Sequence, residues 1–137
     1  MAIASPSALR FVLPIAAGLA AIAPAANAQT FQPNATWTSQ RGSSLTIRTI
    51  APDGSFTGTF VSHTGGACQN EPFRATGWIE GQKIAFAVRW VNGVENCEAI
   101  TSWTGYLSRR GIEARWVIVH FGRSGSPVLE SGMDVFH

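Results

Sequence analysis

Trp90, Trp103 and Trp116 stand at intervals of thirteen residues, each inside an apolar, strand-like run. A fourth indole, Trp37, opens the first such run after residue 28. Indoles present broad apolar faces, so several of them on facing walls would enclose a flat, mostly apolar small molecule. Asp134 is the acid set apart from the others, because its neighbours Met133, Val135 and Phe136 are apolar. Pointing into a barrel, its carboxylate needs donors, since an unpaired buried charge is costly, and a ligand N–H would supply one. Pointing out of the mouth, it would meet only water. Composition alone leaves both orientations open.

Covalent chemistry has little to work with. His63, His120 and His137 are far apart in sequence and form no metal-ligand spacing. There is neither a Gly-x-Ser-x-Gly elbow nor a glycine-rich phosphate loop. Asp53 is a turn residue, and Glu95 and Glu98 flank Cys97 in an apparent loop, where solvation is their simplest role. The reading is therefore a non-enzymatic chain with no metal and no cofactor.

These residues have to be positioned by a small exported domain. Arg10 supplies a positive start, residues 11–23 an apolar stretch, and Ala26-Asn27-Ala28 a small-x-small cleavage site. Residues 1–28 are thus expected to be a signal peptide, with an uncleaved anchor as the alternative, and residues 29–137 a single domain. Without Arg10, nine basic residues face eight acidic ones, a net charge of about +1. Such a balance makes no case for nucleic acid or a membrane surface as partner. In an exported chain Cys68 and Cys97 are most simply one disulfide, worth about 3 kcal/mol on the chain-entropy model. Both cysteines lie in turn-rich segments, so the bridge is expected to tie two loops together.

The rest of the domain is a series of short strands punctuated by Gly, Pro, Asn and Asp. Strands are expected over residues 36–40, 43–50, 55–62 and 73–80, with turns at Arg41-Gly42, Pro52-Asp53-Gly54 and Gly81-Gln82. Alternation then becomes clear. Ile84, Phe86, Val88 and Trp90 share one face, as do Thr101, Trp103 and Gly105, and then Ala114, Trp116 and Ile118. Arg109-Arg110 reads as a hairpin tip, residues 122–132 as a loop, and residues 132–137 as the last strand. Eight such strands predict an all-β, antiparallel up-and-down barrel, with a two-sheet sandwich as the competing architecture.

The run Trp37-Thr38-Ser39-Gln40-Arg41-Gly42-Ser43, followed by Asp53-Gly54 and Thr57-Gly58-Thr59-Phe60, resembles the first three strands of the avidin and streptavidin family. Trp90, Thr101-Ser102-Trp103-Thr104-Gly105, Trp116 and Met133-Asp134-Val135-Phe136 continue the resemblance in order, over nearly the whole domain. Cys68 with Gln69-Asn70 and Cys97 with Glu95-Asn96 are similar to the short dimeric bacterial branch of rhizavidin type. The resemblance implies high-affinity, non-catalytic binding of biotin at the open end of an avidin-like barrel. It implies that Ser43 donates to the ureido oxygen, that Asp134 and Ser62 accept the two ureido N–H groups, and that Thr101 lies near the sulfur. Trp90, Trp103 and Trp116 would box the rings, Ile118 would close the wall, and residues 63–67 would cover the carboxylate tail.

Three positions depart from the family pattern. Ser39 stands where Asn is common, Phe60 where Tyr is common, and Ala99 where a Ser reaches the carboxylate tail. Ser39 is expected to supply a second ureido donor in part, whereas Phe60 has none to give. Each lost neutral hydrogen bond is worth about 1 kcal/mol, so weaker binding than the family's tightest is expected. Residues 122–132 hold no Trp to lend to a neighbour's site, which by the same resemblance implies a homodimer. Trp78 is expected to face outward and is a candidate for its interface. The competing functions are a lipocalin-like carrier of another apolar ligand and an exported inhibitor barrel acting through its loops.

Overall fold

The computed structural model describes residues 29–137, so the signal peptide expected over residues 1–28 lies outside the described residues. Eight strands follow in order: β1 (Thr36–Thr38), β2 (Ser44–Ile50), β3 (Ser55–Val61), β4 (Pro72–Glu80), β5 (Lys83–Val91), β6 (Asn96–Ser108), β7 (Gly111–Phe121) and β8 (Pro127–Phe136). Each pairs antiparallel with its successor in the sequence, in one continuous sheet. The two ends of that sheet meet. Ser39 bridges Phe136, and Thr38 and His137 exchange backbone bonds of 2.9 and 2.8 Å. Closure satisfies backbone groups that an open edge would expose, and the fold is the eight-stranded up-and-down barrel expected from the sequence.

The alternation that defines the strands also fills the barrel. On β5, Ile84, Phe86, Val88 and Trp90 are all buried. Phe86 stacks on Trp103 of β6 with centroids 4.8 Å apart and planes 7° from parallel. Phe60 of β3 lies over the same indole at 4.7 Å and meets Trp90 edge-on at 5.9 Å. Below this aromatic layer Ile47, Phe56, Ile84, Leu107 and Ile112 pack one end of the barrel with apolar atoms. Turns on that side are short: Gly81-Gln82 joins β4 to β5, and Arg109-Arg110 joins β6 to β7. At the turn from β2 to β3, Gly54 takes φ +85°, a conformation that costs other residues steric strain. Asp53 braces it, accepting bonds from the Ser55 amide and hydroxyl at 2.9 and 2.6 Å.

Two expectations need correction. The loop expected over residues 122–132 spans only residues 122–126, because β8 begins at Pro127 and pairs with β7 from Phe121↔Pro127 onward. Cys97 and Glu98 belong to the start of β6 rather than to a loop. There the β5–β6 register slips between Arg89 and Val91, and Glu98 takes a φ of 49°. This bulge kinks β6 at the rim of the barrel, where such irregularities re-aim side chains.

Candidate ligand-binding site

The aromatic layer forms the floor of a cavity of about 290 Å³ at the opposite end of the barrel. Ten of the sequence-predicted residues line it: Ser43, Phe60, Ser62, Trp90, Ala99, Thr101, Trp103, Trp116, Ile118 and Asp134. Strands β3, β5, β6, β7 and β8 therefore each contribute an inward-facing residue. Ser39 is the exception. It is buried but off the cavity wall, its amide donates to the Ser43 carbonyl at 2.7 Å, and its hydroxyl oxygen accepts the Arg41 amide at 3.3 Å.

The polar groups of the cavity are held in defined directions. Trp90 Nε1 donates to Thr101 Oγ1 at 2.8 Å, which leaves the Thr101 hydroxyl proton available to a guest. Ser43 Oγ accepts the His63 amide at 3.1 Å, so its own proton is likewise unspent. Ser62 Oγ and Thr64 Oγ1 share a bond of 3.1 Å at the rim. Asp134 is 2 % exposed, and the inward orientation left open by composition is the one adopted. Its Oδ2 accepts Trp103 Nε1 at 2.9 Å. Its Oδ1 accepts Arg41 Nε and Nη2 at 3.2 and 2.8 Å. This burial is tolerable because charged and neutral donors both reach the carboxylate.

One wall depends on a missing side chain. Trp116 and Gly132 are direct partners across β7 and β8. A Cβ at Gly132 would come within 2.5 Å of Trp116 Cζ2, so the indole lies flat over bare backbone. Trp116 Nε1 is buried and has no hydrogen-bond partner among the described residues. On the facing side the Cys68–Cys97 disulfide joins the β3–β4 connection to the head of β6, with Cα atoms 6.3 Å apart, and both cysteines line the cavity. Glu95 lies close enough to complete a metal-like trio with them, but both sulfurs are committed to the disulfide and no thiolate remains to ligate.

The sequence pattern of the Avidin family matches residues 27–136. The chain belongs to the avidin family. Among curated avidins it is 32 % identical to afifavidin of Afifella pfennigii over 108 residues, which span 75 % of this chain and 67 % of that protein. Apo shwanavidin superposes with a TM-score of 0.71 at 36 % identity, covering 79 % of this chain and 96 % of that one. The rhizavidin–biotin complex gives 0.70 at 37 %, covering 78 % and 94 %.

Within this avidin fold, sequence reasoning missed Arg41 and Glu130 as cavity residues, and gave Cys68 and Cys97 only as a disulfide. Arg41 occupies a turn, where a cation is normally solvated. Its guanidinium carbon instead lies 5.3 Å from the Trp116 ring centroid, a cation–π distance. The signal available in the sequence was Asp134, since a buried carboxylate calls for a cation. Glu130 was hidden by the assignment of its segment to a loop.

Proposed function

We propose that this avidin-family chain binds biotin, or a closely related cyclic urea, without catalysis. The observation that carries the reading is the convergence of Trp90, Trp103, Trp116, Ser43 and Asp134 on one cavity. Biotin offers an apolar thiophane ring, a polar ureido head and a carboxylate tail, and burial of the head demands partners for its oxygen and both N–H groups. In this reading the Ser43 proton goes to the ureido oxygen. Asp134 accepts one N–H and Ser62 the other. Thr101 faces the sulfur, the indoles and Ile118 enclose the ring, and residues 63–67 fold over the tail. Phe60 and Ala99 withhold hydrogen bonds, and Ser39 lies behind the wall, so affinity falls below that of a fully equipped ureido site. Rhizavidin and bradavidin2 have each been solved as biotin complexes, which supports biotin over the carrier and inhibitor readings.

The same reading makes residues 1–28 a cleaved leader and residues 29–137 a domain delivered to the periplasm or the medium. It also makes the protein a homodimer. Supporting this is an outer face of β6, β7 and β8 on which Ile100, Val117, Val119, Leu129 and Met133 are exposed together. Trp78 points outward as expected but stands on β4, apart from that face.

The test is the melting temperature of the protein with excess biotin, desthiobiotin or an unrelated apolar ligand. A rise with the first two alone is expected, since a ligand bound by the native state stabilises it. A rise with the unrelated ligand alone returns the carrier reading.

A further inference from the structure

Arg41 is the one cation among the described residues lining the cavity, where it pairs with the buried Asp134 carboxylate. Its side chain is 43 % exposed, so the guanidinium could remain in water but is turned inward onto Asp134 and Trp116. Asp134 already accepts three donors, two from Arg41 and one from Trp103. A carboxylate has about four lone-pair sites, which leaves one for a guest N–H. Arg41 Nη1 makes no hydrogen bond among the described residues. Of the three positions expected to serve a ureido oxygen, only Ser43 brings a donor to the wall, because Phe60 carries none and the Ser39 hydroxyl lies off it.

We propose that Arg41 determines the specificity of this cavity by donating to the ligand's carbonyl oxygen while Asp134 accepts the adjacent N–H. This rests on the biotin reading and refines its substrate class. The ion pair reads a neutral cis arrangement of N–H and C=O, as in a cyclic urea or cyclic amide, and opposes a cationic head. A charge-assisted bond from the guanidinium replaces the neutral donors missing at Phe60 and Ser39.

The experiment compares wild type with Arg41→Leu by isothermal titration against biotin and 2-thiobiotin, whose sulfur is a poor acceptor. Wild type is expected to prefer biotin over 2-thiobiotin by about tenfold more than the variant does, the worth of one charged hydrogen bond. Cationic 2-iminobiotin at neutral pH is expected to gain relative to biotin in Arg41→Leu. An unchanged biotin to 2-thiobiotin ratio, or tighter binding of both by the variant, overturns the role of Arg41 and leaves the biotin reading standing. A wild type that binds neither ligand overturns both. Far-ultraviolet circular dichroism of Arg41→Leu establishes that the barrel is intact.

Discussion

Trp103 joins the apolar floor of the cavity to its acid, stacking on Phe86 with one face and donating to Asp134 with its ring nitrogen. Trp103→Phe keeps the stack and removes the donor. A hydrogen bond to a charged acceptor is worth about 1.5–3 kcal/mol to the fold, so stability should fall by about that much, and biotin affinity should fall as Asp134 loses one of the donors that aim it. Calorimetry with the variant checks this, and unchanged affinity would deny Trp103 a part in aiming Asp134. Asp53 gives a separate test of stability. Bonds from Ser55 hold its carboxyl below the usual carboxylate range in the folded protein. Its contribution is therefore present above the unfolded pKa and disappears as pH falls through the folded one. The gap in melting temperature between wild type and Asp53→Asn should narrow as pH is lowered through the acid range. The indoles lining the cavity were legible in their repeated spacing, whereas the inward turn of Asp134, open on composition, was implied only by the family resemblance. Arg41 was not legible, since its inward turn depends on contacts 93 residues away.

At the scale of elements, legibility followed the hydrophobic pattern. Strand β5 alternates cleanly because its inner face lies against the packed core. Strand β8 does not, because its inward Glu130 and Asp134 line the cavity instead. Glu130, Gly132 and Asp134 are there a charge, a bare backbone under Trp116 and a buried acid, so the segment reads as a loop. The start of β6 was hidden in the same way, by a bulge whose asparagine and acids resemble turn chemistry. That bulge presents Cys97 to Cys68, and the bridge holds the β3–β4 connection over the cavity. Cys68→Ser with Cys97→Ser should cost about 3 kcal/mol in denaturant titration. It should also speed biotin release, as the connection would have to be ordered anew on each binding event. Release at the wild-type rate would show that the bridge serves stability alone.

For the whole molecule, closure by the Ser39↔Phe136 bridge gives a rigid wall, and the outer face of β6–β8 carries the apolar surface that a second copy would cover. Leu129, 69 % exposed, sits on that face. Wild-type protein should sediment with the mass of a dimer, and Leu129→Lys should shift it to the monomer. A wild-type monomer would remove that interface. The central claim is most directly tested by isothermal titration of the intact protein with biotin. One saturable site per chain is predicted, lost or greatly weakened in Asp134→Ala. Absence of saturable binding by the wild type, or equal binding by the variant, would contradict it.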